Sequence, residues 1–253
     1  MEKQSQPSFE QFSHQSEENE NILRSAELGV ILAEAYRGAI DLDPRLSEIK
    51  IVPIEDPDDK RHGYARAKGS KGNESGRHEA HIRLDNLDQT LDMYSQAMSQ
   101  APETIAIIAE KIGVPIERVT PQLLYVQSIL HEIGHLTEHM DYEDDPEFPK
   151  LRRKQEMAAM PVGNVTVGAL LDPESAGSKY VEHNWESIQV EHGIDSRDDL
   201  IAMQSRAYRN LTSETIADNF AADVFAIDPQ LVDMLTGPSI EKYRDFPDLA
   251  KAA

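Results

Sequence analysis

Residues 121–141 read PQLLYVQSILHEIGHLTEHMD, and the pattern in this stretch indicates the fold. Its apolar residues recur at steps of three and four, which is typical of a helix with one apolar side. Thr120 is a suitable N-cap, and Pro121 suits the first helical position because no backbone N–H needs a partner there. The sequence predicts a helix that begins at Pro121 and stops near Asp141.

The predicted helix contains the motif HEIGH at residues 131–135. His131 and His135 are four residues apart, so their imidazoles project from one face and can bind one zinc ion. Glu132 follows the first histidine, and in this motif its carboxylate can take a proton from zinc-bound water. Gly134 leaves room for close packing or for a substrate. The motif predicts two metal ligands and a general base.

A zinc enzyme normally uses three protein ligands and leaves the fourth position to water. His139 continues the four-residue series, but on a straight helix it lies about 12 Å from His131 along the axis. Asp141 would need a sharp turn, usually made at a glycine, where this chain has Glu138. Both residues are therefore weaker candidates for the third ligand.

The favoured third ligand lies in residues 213–223, which read SETIADNFAAD. Glu214 and Asp218 are four residues apart on a second predicted helix and face the same way. If Glu214 binds the metal, Asp218 can accept the free N–H of a metal-binding imidazole. An ordinary exposed acidic pair is the alternative, since the chain has 46 Asp and Glu residues.

HEIGH followed downstream by ETIADNFAAD resembles the gluzincin group of metallopeptidases. Within that group the chain is most similar to the ImmA/IrrE-type family, and less so to HtpX-like membrane peptidases. The resemblance implies that the general base is Glu132, that Asp218 is the partner of His131, and that the Zn²⁺ ligands are His131, His135 and Glu214. It also implies a zincin-like domain. Because the strand patterns suggest a small antiparallel sheet, we expect an α+β fold that is predominantly helical.

The chain departs from the ImmA/IrrE pattern in two places. About 45 residues, read as extra helix, separate the predicted strand 79–85 from HEIGH, and the apolar-Pro ending appears only as AIDP at 226–229. In gluzincin peptidases an edge strand pairs with extended substrate, and strand 79–85 is the candidate here. Five residues qualify by type to stabilise an oxyanion: Tyr180, His183, His192, Arg206 and Tyr208.

Patterning predicts how the remainder of the chain is organised. Residues 1–20 are expected to form a disordered polar and acidic tail, and 21–253 a single zincin-like metallopeptidase domain, with 150–195 as a candidate insertion. Further predicted helices cover 21–40, 87–99, 102–112 and 196–227, the last broken near Ser213, and predicted strands cover 49–54, 63–67 and 79–85.

Composition excludes several classes of protein. The chain of 253 residues has no cysteine, which rules out disulfides, iron–sulfur clusters and a thiol nucleophile, so His and carboxylates must hold any metal. Its formal charge of −21 disfavours nucleic acid and membrane surfaces as partners. Residues 1–21 lack the features of a secretory signal, and we expect a cytoplasmic protein.

The sequence thus predicts a zinc metallopeptidase that acts on a protein or peptide substrate. One alternative is a catalytically inactive regulatory or binding protein that keeps the zincin fold. Another is a helical structural protein in which HEIGH occurs by accident.

Overall fold

The computed structural model describes residues 9–26, 28–56, 63–85, 87–100 and 102–237. Over these ranges the protein is α+β and mostly helical, with a three-stranded mixed sheet, as the sequence predicts for the fold class. The helices are α1 Phe9–Arg24, α2 Gly29–Leu42, α3 Leu87–Gln100, α4 Pro102–Ile112, α5 Pro121–Asp141, α6 Glu147–Ala158, α7 Val167–Leu171, α8 Ala176–His183, α9 Trp185–His192, α10 Arg197–Arg209, α11 Thr212–Ile227 and α12 Pro229–Thr236. The strands are β1 Lys50–Pro53, β2 Gly63–Arg66 and β3 Glu79–Ile82.

The chain divides into two compact units. The single zincin-like domain over 21–253 stays a prediction. Unit 1 is formed by Met1–Asp141 together with Ala217–Ala253, and unit 2 by Tyr142–Ile216. Unit 2 is therefore an insertion along the chain, wider than the candidate insertion at 150–195. The boundary at 216/217 falls inside the continuous helix α11.

Helix α1 corrects the prediction of a disordered tail over 1–20, of which residues 1–8 lie outside the described residues. Asn19 is fully buried, and its amide donates to the Tyr36 hydroxyl and to the Ile49 carbonyl, both at 2.8 Å. Its Oδ1 accepts from the Ile51 N–H at 3.0 Å. The tail was predicted from a lack of apolar residues, but a polar residue anchors the helix.

The predicted helix over 21–40 is interrupted between α1 and α2. Leu28 takes a left-handed conformation, with φ of 59°. An ideal Cβ on Gly29 would lie 2.6 Å from the carbonyl oxygens of Leu23 and Arg24. The chain can make this tight turn because position 29 is a glycine.

The sheet is mixed, with strand order β1-β3-β2, which corrects the predicted antiparallel sheet. β1 pairs with β3 in parallel, with Ile51 opposite Ala80, whereas β2 pairs antiparallel, with Gly63 opposite Ile82. Alternation of apolar residues indicates which face of a strand is buried but not its direction. β3 is the central strand, so the prediction that strand 79–85 is the edge that pairs with substrate is wrong.

Helix α5 runs through the core of unit 1, and its observed bounds confirm the predicted helix. Leu123, Val126, Leu130 and Leu136 are fully buried and pack in the cluster that also contains Val224 of α11. Unit 2 has a core of its own, built from Val162, Leu170, Val181, Ile188, Ile194 and Leu200. Among the described residues, no helix combines the length and the apolar character needed to cross a membrane.

We predict that Asn19→Ala lowers the free energy of unfolding by about 3 kcal/mol, because it strips partners from buried groups of Tyr36, Ile49 and Ile51. Chemical denaturation measures the change. Asn21→Ala is the matched control, since Asn21 lies on the same helix and is exposed, and it should leave stability unchanged. Equal stability of the two variants would contradict the anchoring role of Asn19.

Candidate metal centre

Helices α5 and α11 approach closely at Gly134. An ideal Cβ on Gly134 would lie 2.9 Å from the Ala217 Cα and 3.0 Å from the Phe220 Cβ. Real Cβ atoms essentially never come closer than 3.0 Å to a neighbour, so a side chain at position 134 would push the helices apart. Close packing, one of the two roles predicted for Gly134, is confirmed.

The structure brings the three predicted ligands together. The candidate ligand atoms of His131, His135 and Glu214 all lie within 4.8 Å of one another. The two imidazole rings meet edge to face, with centroids 4.7 Å apart. His131 and Glu214 are buried and His135 is partly buried. This group can hold a metal ion, and two imidazoles with one carboxylate are a donor set that suits zinc.

The other two candidates for the third ligand are engaged elsewhere. The His139 ring stacks on that of His78 at a centroid distance of 6.5 Å. Asp141 accepts a hydrogen bond from Arg45 at 2.8 Å. Neither residue belongs to the group that can bind a metal within the described part of the chain.

Asp218 orients one of the imidazoles. Its Oδ1 lies 2.7 Å from Nδ1 of His131, which is the partner that the resemblance implies for Asp218. A ring that donates through Nδ1 keeps Nε2 as the acceptor that a metal needs. The Asp218 side chain is 2% exposed, and its Oδ2 accepts from Nζ of Lys111 at 2.9 Å.

Glu214 is held in a similar way by Arg153 of α6. Nη1 of Arg153 donates to Oε1 of Glu214 at 2.8 Å and to the Ser213 hydroxyl at 2.6 Å, and Nη2 donates to the Tyr208 hydroxyl at 3.0 Å. Burial lowers the pKa of Arg153, but Tyr208 and Glu214 outweigh it and raise the pKa overall. Burial and the Glu214 carboxylate raise the pKa of Tyr208.

The sequence does not mark Lys111 and Arg153, which pair with Asp218 and Glu214. Each is an ordinary basic residue on an amphipathic helix, and no local pattern marks it. Because a buried charge must be paired, two buried carboxylates imply that two cationic side chains lie nearby. The rule does not say which lysine or arginine they are.

Glu132 lies beside the edge strand β2. An ideal Cβ on Gly63 would lie 3.0 Å from Cγ of Glu132, so the lack of a side chain at Gly63 makes room for the glutamate. Glu132 is partly buried and follows directly after the metal-binding candidate His131.

Five residues qualified by type to stabilise an oxyanion. One of them, Tyr208, accepts a hydrogen bond from Arg153, which also donates to Glu214. Tyr180 is 54% exposed and Arg206 is exposed. Nε2 of His192 lies 3.0 Å from the Pro161 carbonyl oxygen.

Comparison of the chain with models of protein families, with curated proteins and with solved structures found no match.

We predict that Gly134→Ala destabilises the protein by about 1–3 kcal/mol, because the new Cβ overlaps α11. It should also weaken zinc binding, since the ligands come from both helices. Gly168→Ala is the matched control, because open space surrounds that helical glycine, and it should be neutral or stabilise by up to about 1 kcal/mol. Thermal unfolding and zinc titration measure both effects, and tight zinc binding by Gly134→Ala would count against the close approach.

Asp218→Asn should weaken zinc binding by roughly 10- to 100-fold, because His131 loses the carboxylate that fixes its tautomer. Asp223→Asn removes an exposed carboxylate from the same helix and should leave the dissociation constant unchanged. Competition with a chromogenic chelator gives both constants. Equal constants would show that Asp218 does not orient His131.

Proposed function

We propose that the protein is a zinc-dependent metallopeptidase that hydrolyses peptide bonds. The observation that carries this proposal is the buried group of His131, His135 and Glu214. Two histidines and a glutamate with an open fourth position are the ligand set of several zinc peptidases. Calcium and magnesium prefer sites made of oxygen ligands, so nitrogen donors favour zinc over them.

In this proposal Glu132 is the general base. It takes a proton from the attacking water and passes it to the leaving nitrogen. A bound zinc ion would polarise the substrate carbonyl and lower the pKa of water at the site. His131 and His135 would hold the ion as neutral ligands, and Asp218 keeps His131 in the tautomer that this requires.

The edge strand β2 is the proposed site for the substrate backbone. β2 pairs with β3 on one side, and it ends the sheet on the other in the described strand order. Gly63 of β2 lies beside Glu132, so a peptide added at this edge would run past the general base. This assignment replaces strand 79–85, which the structure places in the centre of the sheet.

The similarity of HEIGH and ETIADNFAAD to gluzincins, and to the ImmA/IrrE-type family within them, supports the same proposal. The acidic composition supports a protein or peptide substrate rather than nucleic acid or a membrane. The lack of cysteine fits a reducing compartment and supports the proposed cytoplasmic location.

We predict that Glu132→Gln lowers peptide cleavage by about 100-fold or more while zinc stays bound, because it removes the base but no ligand. Glu117→Gln, which changes an exposed glutamate, is the control and should cleave like the parent. Cleavage is read by mass spectrometry on a peptide mixture made from a digested proteome, and zinc by elemental analysis.

Cleavage by Glu132→Gln at the parent rate would refute the proposed mechanism. A parent protein that binds one equivalent of zinc but cleaves nothing in the mixture would favour the alternative, a regulatory or binding protein that keeps the fold. A parent protein without stoichiometric zinc would refute the metal site and leave HEIGH as an accidental motif.

A further inference from the structure

Helix α6 of unit 2 holds the first turn of α11 through two side chains. The Glu156 carboxylate accepts from the Thr212 backbone N–H at 3.0 Å and from the Thr212 hydroxyl. The first N–H groups of a helix have no partner within the helix, and negative charge is favourable there. Glu156 therefore fixes the point at which α11 begins, two residues before Glu214.

Arg153 lies three residues before Glu156, so the two side chains share a face of α6. The guanidinium donates to Ser213 and Glu214 through Nη1 and to Tyr208 through Nη2. Its Cζ lies 5.7 Å from the centroid of the Tyr208 ring. These contacts fix the guanidinium in one orientation, and through it the carboxylate of Glu214.

The contact constrains how Glu214 can bind a metal. Its side chain is 4% exposed, and its Oε1 is engaged by Arg153. Binding a metal through both oxygens would compete with this contact, so the contact favours binding through one oxygen. With one nitrogen from each histidine, a single oxygen leaves the fourth tetrahedral position of a zinc ion for water.

We propose that Arg153 is a positioning residue that makes Glu214 a one-oxygen metal ligand. This inference rests on the metal site of the proposed function. It is independent of peptide cleavage, because it concerns how the ligand is held.

A positioning role and a purely electrostatic role of Arg153 predict opposite changes in metal affinity when Arg153 is removed. If Arg153 acted only through its positive charge, its removal would strengthen the binding of a divalent cation, because like charges repel. If Arg153 positions Glu214, its removal weakens binding, because the carboxylate is no longer held. Lysine keeps the charge but lacks the planar fork that contacts Ser213, Glu214 and Tyr208 together.

The test is the zinc dissociation constant of the full chain, measured by competition with a chromogenic chelator after metal removal and reloading. Arg153→Ala should weaken binding by roughly 10- to 100-fold, the range seen when a group that orients a metal ligand is removed. Arg153→Lys should also weaken binding, although its charge is unchanged. Lys154→Ala is the matched control, because it removes an exposed positive charge from the same helix, and its affinity should equal that of the parent.

Cobalt substitution gives a second readout. Four-coordinate cobalt(II) absorbs visible light more strongly than five- or six-coordinate cobalt(II). The parent should show the strong absorption, and Arg153→Lys should show a weaker band because Glu214 is free to bind through both oxygens. Circular dichroism shows which variants are folded, and Arg153→Lys decides the question if Arg153→Ala unfolds.

Zinc affinity of Arg153→Lys equal to that of the parent, or tighter binding by Arg153→Ala, would overturn the positioning role and leave the metal site intact. Failure of the parent itself to bind zinc, with no difference from Glu214→Ala, would instead refute the proposed function.

Discussion

The close approach of α5 and α11 at Gly134 is the constraint on which the candidate site depends. His131 and His135 flank this glycine on α5, and Ala217 opposite it lies between Glu214 and Asp218 on α11. Because both helices have a period of 3.6 residues, residues four apart on each face the same contact. Helix packing therefore brings two imidazoles and two carboxylates to one place. A larger residue at position 134 would separate them.

Charge balance is the second requirement of this arrangement. Two buried carboxylates in a chain with a net charge of −21 need compensation, since the burial of an unpaired charge is costly. Lys111 of α4 pairs with Asp218, and Arg153 of α6 pairs with Glu214. One oxygen of each carboxylate therefore forms an ion pair with a basic side chain. For Asp218 the other oxygen contacts His131, and for Glu214 we propose that it binds the metal.

The periodicity of the sequence predicted many of the helices and the residues of the candidate site. The spacing of His131 and His135, and of Glu214 and Asp218, predicted which residues share a face, and α5 confirmed the helix between Pro121 and Asp141. Because the chain has no cysteine, only histidines and carboxylates could be predicted as metal ligands. Such local patterns are visible in one sequence because they depend on neighbours along the chain.

Features that depend on distant residues were missed. The direction of β1 and the central place of β3 depend on which strands pair in the folded protein, and alternation does not encode this pairing. The buried Asn19 anchors helix α1 through Tyr36, Ile49 and Ile51, which lie 17 to 32 residues further along the chain. Arg153 contacts Glu214, which lies 61 positions further along the chain, and no local pattern predicts this contact.

The most direct test of the account is X-ray absorption at the zinc edge of the purified, zinc-loaded full chain. The account predicts one zinc per chain with four nitrogen and oxygen ligands at about 2.0–2.2 Å, two of them with the scattering pattern of imidazole. The Glu214→Ala protein should have an altered spectrum or contain no zinc. A six-coordinate shell without imidazole, or a spectrum unchanged by Glu214→Ala, would contradict the convergence of α5 and α11 on one metal ion.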